Sequence, residues 1–228
     1  MEPELVFPER FTDPRLGADL LWRDVRVERF PAPVPALFLD RDGVIVEEKL
    51  YLSNPDDIEL LPGVHELICG AHELGMAVVE ITNQAGIAHG YFGWPEFVRV
   101  ENELANVLYE RGAEADAVFA CPFHPQGRPP YAHENHPWRK PNPGMILEAA
   151  RLLNLALDRS VLIGDKVSDL EAGRAAGLLL GVHVLTGHGR EHEAASRAVA
   201  SARFPVTVVA CALEAVKLLP GYARSLTA

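Results

Sequence analysis

Short apolar runs alternate with amphipathic helical patterns from residue 36 to residue 210 of this chain. The runs have the length of strands, and the segments between them carry apolar residues three and four positions apart, like the buried face of a helix. Strands that are apolar throughout and joined by helices are typical of parallel sheets covered on both faces. We therefore predict an α/β fold with a doubly wound, mostly parallel sheet. The predicted strands are 36–39, 77–81, 117–120, 161–163, 179–184 and 206–210.

Local signals mark where predicted helices begin. Helical spacing follows Pro95 and the pair Asn142-Pro143, and proline is favoured in the first turn of a helix. Ser168 and Glu171 have the spacing of a capping box, which predicts a further helix opening at Ser168.

Charge and cysteine usage limit the partners of the chain. The 228 residues carry a formal charge of −11, which repels nucleic-acid phosphates. The three cysteines are odd in number and far apart, which favours a reducing compartment without a disulfide framework. No secretion signal is visible, and no apolar run has the ~18 residues that a bilayer crossing requires. We expect a cytoplasmic monomer that binds neither nucleic acid nor membrane.

The first 33 residues differ from the rest of the chain. They mix charges, prolines and scattered aromatic residues, and they end in a proline-rich stretch at 31–35. We interpret residues 1–33 as an N-terminal extension wrapped on the surface, and residues 34–228 as one folded domain.

Polar clusters follow several predicted strands, where doubly wound sheets place their sites. Asp40 and Asp42 follow the first strand, and a Thr-Asn-Gln run at 82–84 follows the second. An Arg-Lys pair at 139–140 precedes a helix, and an Asp-Lys pair at 165–166 follows the fourth strand. Each cluster alone has an ordinary explanation, such as a polar turn or a solvated lysine. Their common placement favours one shared site.

The order DRDGV, TNQ, RKP and GDKxxD resembles the four motifs of the haloacid dehalogenase superfamily of phosphatases. Residues 82–92 and 121–127 resemble the D,D-heptose 1,7-bisphosphate phosphatase branch, which is related to the histidinol-phosphate phosphatases. The resemblance implies a Rossmann-like core over residues 34–228 that hydrolyses a small sugar phosphate. D-glycero-D-manno-heptose 1,7-bisphosphate is the expected substrate, cleaved at its 7-phosphate, and histidinol phosphate is the alternative.

The resemblance also implies a mechanism. Asp40 is expected to attack phosphorus and form an aspartyl phosphate, and Asp42 to act first as a general acid and then as a base. Mg²⁺ is expected on Asp40, the backbone carbonyl of Asp42 and Asp165. Asp169 is expected to order the groups around the metal or the neighbouring lysine.

A second group of residues is expected to hold the phosphoryl group and the substrate. Lys140 and Thr82 are assigned to the transferring phosphoryl group. The residues assigned to substrate binding are Asn83, Gln84, Arg139, Lys166, Glu48 and Tyr51.

The intervals between the motifs leave no room for a folded cap. Asp40 and Thr82 are only 42 positions apart, and one helix, one strand and their loops nearly fill that interval. We therefore expect substrate choice to rest on the loops 44–58, 85–93 and 121–138.

The loop 121–138 carries an uncertain metal signal. The branch often binds a structural zinc at positions that here read Cys121, Phe123, His136 and Trp138, and two of these cannot be ligands. A shifted set could close a tetrahedron instead. That set is Cys121, His124, His133 and His136. The alternative is a proline-rich loop packed without metal.

Two rivals without turnover stay open. A phospho-acceptor domain of the receiver type combines similar residues, but it would place its acceptor aspartate after the third strand, where this chain has Ala120-Cys121-Pro122. A non-hydrolysing sugar-phosphate binder is the other, and the presence of Asp40, Asp42 and both lysines disfavours it.

Overall fold

The computed structural model describes residues 11–218, and over that range seven strands form one sheet. The sheet order is β1-β4-β3-β2-β5-β6-β7, and every neighbouring pair is parallel except β1 with β4. The strands are β1 (Trp22–Val25), β2 (Ala36–Leu39), β3 (Ala77–Asn83), β4 (Ala117–Cys121), β5 (Val161–Gly164), β6 (Leu180–Val184) and β7 (Val206–Val209). The predicted α/β class and the mostly parallel sheet are confirmed.

Helices cover both faces of the sheet. They are α1 (Val64–Glu73), α2 (Ala85–His89), α3 (Trp94–Tyr109), α4 (Gly144–Leu153), α5 (Val167–Ala176), α6 (Gly189–Ala198) and α7 (Ala212–Val216). Two short 3-10 turns lie at Pro55–Asp57 and Leu157–Arg159. The intervals between β2 and β4 hold only loops, a 3-10 turn, α1, β3, α2 and α3, so no large cap domain is present in the described part of the chain.

The residues of β2 show why the sheet needs two layers of helix. Leu37 and Leu39 belong to the core on the side of α1 and α3, whereas Ala36 and Phe38 belong to the core on the side of α4 and α5. Successive side chains of a strand point to opposite faces, so an apolar strand can be buried only between two apolar layers. This central position fixes where the chain emerges at Asp40.

Helix α5 begins earlier than the sequence predicts. Its first residue is Val167, Lys166 is the N-cap, and the Asp169 carboxylate accepts a hydrogen bond from the Lys166 backbone N–H at 3.0 Å. The predicted capping box of Ser168 with Glu171 is therefore wrong. Gly164 allows this first turn to lie close to β5, because a Cβ at that position would collide with the Asp169 side chain.

The segment before residue 34 contributes to the core, which the sequence analysis did not foresee. Strand β1 pairs antiparallel with β4, and Trp22 is fully buried. The Trp22 ring stacks on Trp94 at 5.9 Å between centroids and meets the edge of Phe97 at 5.5 Å. The expectation of an extension lying only on the surface is thus wrong for this strand. The domain boundary at residue 34 stays a prediction, and residues 1–10 and 219–228 lie outside the described range.

Within residues 11–218, none of the helices combines the length and the apolar character that crossing a bilayer would require.

A titratable contact ties α1 to the start of two strands. His72 Nε2 lies 3.1 Å from Asp116 Oδ2, and the same oxygen accepts a hydrogen bond from the Val78 N–H at 2.7 Å. Hydrogen bonding to Asp116 raises the pKa of His72, and this effect outweighs burial, which lowers it. A raised folded-state pKa means that the stabilisation is complete below the unfolded-state pKa and is lost as pH rises through the folded-state value.

We predict that His72→Gln lowers the free energy of unfolding more at about pH 5.5 than at about pH 8.5. The difference should be ~0.5–1 kcal/mol, because solvent screens a partly exposed ion pair. Urea unfolding of both proteins at the two pH values measures it. A stability loss that does not change with pH would contradict the assignment.

Candidate active site

The polar clusters converge at the carboxyl-terminal edge of the sheet. Asp40 directly follows β2, Thr82 lies at the end of β3, and Asp165 directly follows β5. These three strands are parallel neighbours, so their carboxyl ends lie side by side. An open cavity of about 490 Å³ lies at this edge. Its lining includes Asp42, Glu48, Tyr51, Asn83, Gln84, Arg139, Lys140 and Lys166.

Three buried carboxylates form the floor of the site. Asp40, Asp165 and Asp169 each offer an oxygen within 4.8 Å of the others. Burial, then the charges of Asp40 and Asp169, raises the pKa of Asp165 to about 8. The Asp165 Oδ1 atom is buried and has no hydrogen-bond partner among residues 11–218. Unpaired carboxylate oxygens that repel each other are a fitting donor set for a hard divalent cation.

Backbone glycines keep the space beside these carboxylates open. Gly43 has a φ of +82° and Gly187 a φ of +53°, a region that side chains rarely adopt. A Cβ at Gly43 would lie 2.5 Å from Asp165 Oδ2. Larger residues at these positions would fill the space beside the acidic floor.

Lys140 joins the acidic floor to the sheet. Its Nζ lies 2.8 Å from Asp40 Oδ1 and 2.7 Å from Asp169 Oδ1, and it donates to the Ile81 carbonyl at 2.9 Å. The two carboxylate contacts are ion pairs, and the contact with the Ile81 carbonyl is a hydrogen bond. Burial lowers the pKa of Lys140, but the charges of Asp169 and Asp40 outweigh it and hold the pKa above its usual value. Lys140 is therefore a fixed cation beside Asp40.

The Asp42 carboxylate is bound by neighbouring side chains and is not one of the three carboxylates of the acidic floor. It accepts contacts from the Arg41 guanidinium at 3.0–3.2 Å and from Gln84 Nε2 at 3.2 Å. Only its backbone carbonyl was predicted to bind metal, and that assignment stays a prediction. The Asp42 side chain itself lines the cavity.

The Thr-Asn-Gln run at 82–84, at the end of β3, makes hydrogen bonds within the site. Gln84 Nε2 also donates to Thr82 Oγ1 at 2.8 Å, and Thr82 is buried. Asn83 exchanges two hydrogen bonds with the backbone of Lys140, at 3.0 Å and 3.1 Å. The side-chain amide of Asn83 thus holds Lys140 in place, a contact that the sequence analysis did not predict.

Cationic side chains surround the rest of the cavity. Arg139 Nη1 donates to the Phe123 carbonyl at 3.1 Å, which leaves other N–H groups of its fork available. Lys166 Nζ lies 3.2 Å from Glu48 Oε2. Burial lowers the pKa of Lys166, but the charges of Asp40, Asp165 and Glu48 outweigh it and raise the pKa. Burial is also the main cause that raises the pKa of Glu48.

The loop 44–58 brings one aromatic residue to the cavity. Tyr51 has a φ of +61°, and its ring lies 4.6 Å from the ring of Tyr91. Its neighbour Lys49 instead turns to Glu59, 2.7 Å away. The assignments of Glu48 and Tyr51 to substrate stay predictions.

The structure does not gather the shifted zinc set. Within residues 11–218, only the acidic floor brings three candidate ligand atoms within 4.8 Å of one another. Cys121 Sγ is 3.8 Å from His136 Nδ1, but that nitrogen accepts a hydrogen bond from the Trp138 N–H. His124 packs against His89, with ring centroids 4.6 Å apart.

Aromatic and cation–π contacts pack this loop. The Phe123 ring stacks on His136 at 4.1 Å, and the Arg23 guanidinium lies 4.3 Å from the centre of the Trp138 ring. Burial raises the pKa of Cys121 to about 12. The zinc set and its metal-free alternative both stay predictions.

Three residues near the site were missed by the sequence analysis. His188 donates its backbone N–H to Asp165 Oδ2 at 2.8 Å, and its ring faces Glu48 at 3.5 Å. It follows the end of β6, so the placement rule used for the other polar clusters could have found it. The other two are Arg41 and Glu101, a buried ion pair at 2.8 Å.

Comparisons with known proteins agree with this geometry. Residues 137–211 match the HAD-hydrolase-like family model. A D-glycero-beta-D-manno-heptose-1,7-bisphosphate 7-phosphatase of Mesorhizobium japonicum is 48% identical over 67% of this chain and 70% of its own length. A D-glycero-alpha-D-manno-heptose-1,7-bisphosphate 7-phosphatase of Burkholderia mallei is 44% identical over 63% of this chain and 76% of its own.

Solved structures agree as well. A HAD-like phosphatase of Mesorhizobium loti has a TM-score of 0.79 and 36% identity, covering 96% of this chain and 98% of its own. A D,D-heptose 1,7-bisphosphate phosphatase of B. bronchiseptica, in complex with magnesium and phosphate, has a TM-score of 0.72 and 28% identity, covering 82% and 99%. The predicted resemblance is confirmed: the chain is a phosphatase that belongs to the haloacid dehalogenase-like hydrolases, in the family of these heptose bisphosphate phosphatases.

Proposed function

We propose that this phosphatase removes the 7-phosphate of D-glycero-D-manno-heptose 1,7-bisphosphate. The observation that carries the proposal is the meeting of Asp40, Lys140 and Asp165 at one edge of the sheet, beneath a cavity rich in cations. The choice of sugar in this proposal comes from the names of the similar proteins, which are heptose 1,7-bisphosphate 7-phosphatases. The absence of a cap over the described site leaves an open cavity suited to a small, doubly charged substrate.

Asp40 is proposed as the nucleophile. Its oxygen forms a bond to phosphorus while the ester bond to the 7-oxygen of the sugar breaks, which gives an aspartyl phosphate and heptose 1-phosphate. Lys140 lies 2.8 Å from Asp40, so one ammonium can orient the carboxylate and stabilise charge on the phosphoryl oxygens. Thr82 and Asn83 stand at the same strand end, where they can support the phosphoryl group and Lys140.

Asp42 is proposed to move the protons. It donates a proton to the departing sugar oxygen, and it later takes one from the water that attacks the phosphorus of the intermediate. That attack breaks the acyl phosphate bond, releases inorganic phosphate and restores Asp40. The separation of the two carboxylates, one on the acidic floor and one on Arg41 and Gln84, supports their different roles.

Magnesium is the proposed cofactor. Asp40, Asp165 and the backbone carbonyl of Asp42 would hold it, and Asp169 lies next to them and holds Lys140. When bound, the ion would cancel the repulsion between these carboxylates and a phosphate dianion. The relative that holds magnesium and phosphate supports this assignment.

The cationic rim is proposed to recognise the rest of the substrate. Arg139 and Lys166 offer a fork and a point charge for a second phosphate or for sugar oxygens. Glu48, Tyr51 and Gln84 line the same cavity and are proposed to contact the sugar.

We also propose that the enzyme is a cytoplasmic monomer without nucleic-acid or membrane partners, with its phosphatase domain in residues 34–228. The net charge of −11 supports the absence of a nucleic-acid partner, and three cysteines far apart in the sequence support a reducing compartment.

The substrate proposal is tested with a panel of phosphorylated metabolites assayed with Mg²⁺. We expect the largest kcat/KM for a heptose 1,7-bisphosphate, with one phosphate released and heptose 1-phosphate left. Asp40→Asn should abolish turnover because an amide is a poor nucleophile, whereas Asp158→Asn, an exposed position, should not. A larger kcat/KM for histidinol phosphate would contradict the proposed sugar substrate. Phosphorylation of the protein at one site without repeated hydrolysis would indicate a receiver-like protein.

The metal proposal is tested by thermal unfolding. In chelator, Asp165→Asn should raise Tm by ~3 °C or more, because it removes a carboxyl group that burial and the charges of Asp40 and Asp169 make costly to ionise. At this chain length 1 kcal/mol corresponds to about 2–4 °C. Saturating Mg²⁺ should raise the Tm of the wild-type protein by roughly 5–10 °C at a hundredfold excess over Kd. Asp158→Asn serves as the control and should behave like the wild type. An equal response of Asp165→Asn to Mg²⁺ would remove Asp165 from the metal site.

A further inference from the structure

Arg41 is a charged residue with almost no contact with solvent. It stands between the two catalytic aspartates in the chain, yet only 1% of its side chain is exposed. Burying a guanidinium is costly unless each of its charges and donors is matched. Its partners therefore indicate what the burial achieves.

One edge of the guanidinium contacts Asp42, the proposed general acid. Nε and Nη2 contact Asp42 Oδ1 at 3.2 Å and 3.0 Å, and Nη2 also contacts Oδ2 at 3.0 Å. Two-point contact between a planar guanidinium and a carboxylate fixes orientation as well as distance. Gln84 closes the other side of the same carboxylate at 3.2 Å.

The other side of the guanidinium is anchored in helix α3. Nη1 donates to Glu101 Oε1 at 2.8 Å, and 1% of the Glu101 side chain is exposed. The Phe97 ring, one turn earlier on the same helix, lies 5.8 Å from the guanidinium. Arg41 is thus clamped between α3 and the cavity wall.

A second buried acid lies near Arg41 and could become its partner if this anchor were removed. Glu80 on β3 is buried, its Oε1 has no hydrogen-bond partner among the described residues, and it is close enough to interact electrostatically with Arg41. A guanidinium released from Glu101 would have an unpaired carboxyl group to turn towards. Such a turn would draw the fork away from Asp42.

We propose that Glu101 and Arg41 are positioning residues that hold the Asp42 carboxylate in the orientation for proton transfer to the leaving oxygen. Glu101 touches no substrate and acts only through Arg41. The inference rests on the proposed role of Asp42. It assigns a function in the reaction to helix α3, whose residues are not among those that line the active-site cavity.

The test uses the difference between poor and good leaving groups. A sugar alkoxide needs a proton to depart, whereas p-nitrophenolate does not, so a defect in proton donation appears in kcat/KM for the sugar phosphate alone. General-acid catalysis is worth ~10²–10⁴, and we expect Glu101→Ala to lose roughly 10–100-fold on the sugar phosphate. The loss on p-nitrophenyl phosphate should be several times smaller.

Matched variants separate positioning from general damage. Glu103→Ala changes an exposed glutamate of the same helix and should lose neither activity. Glu101→Gln keeps an acceptor oxygen for Arg41 and should restore most of the sugar phosphate activity. The pair Arg41→Met with Glu101→Leu removes the buried charges together, which often leaves stability unchanged, and it should show the same selective loss.

Double variants complete the test. In an Asp42→Asn background, Glu101→Ala should cause no further loss on the sugar phosphate, because residues that act through one group are not additive. Additive losses, or equal losses on both substrates by a folded variant, would overturn the inference. If Asp42→Asn itself shows no selectivity for the leaving group, the proposed role of Asp42 fails and the inference fails with it. If Asp42→Asn is selective and Glu101→Ala is not, only the inference fails.

Discussion

The ammonium of Lys140 is the contact on which the site depends. It joins a carboxylate after β2, a carboxylate in the first turn of α5 and a carbonyl of β3. These groups come from distant parts of the sequence, and a single point charge can meet all three because parallel strands end at one edge. The Asn83 amide fixes the Lys140 backbone from the same edge. Strand order, rather than local sequence, therefore builds the reactive centre.

The charges at this centre do not balance within the protein. Three carboxylates lie within 4.8 Å of one another, and Lys140 pairs directly with only two of them. Burial strengthens both the attractions and the repulsions, because the protein interior screens charges less than bulk water does. Burial, and then the charges of Asp40 and Asp169, raise the pKa of Asp165 to about 8. Carboxylates held this close together lower the stability of the fold, and the same repulsion favours the binding of a cation.

Much of this arrangement could be predicted from the sequence because its elements obey local rules. The strand at Ala36–Leu39 is apolar throughout, and Asp40 follows at the carboxyl end, where sites of such sheets lie. Contacts between distant side chains were harder to foresee. Glu101 interrupts an apolar stripe with Phe97, Leu104 and Leu108, which signals a buried acid but does not name Arg41 as its partner. In the loop 121–138, ligand spacing suggested a zinc set, but it could not predict that Phe123 would stack on His136.

The antiparallel strand β1 has a consequence for the integrity of the whole molecule. It covers the backbone N–H and C=O groups along the outer side of β4, which would otherwise form an open edge of the sheet. An apolar edge left bare is a template on which a second polypeptide can pair and start aggregation. Trp22 holds this strand in place by packing against both Trp94 and Phe97. Trimming the chain to begin at residue 34 would spare every group that lines the cavity, and would still leave a protein prone to self-association.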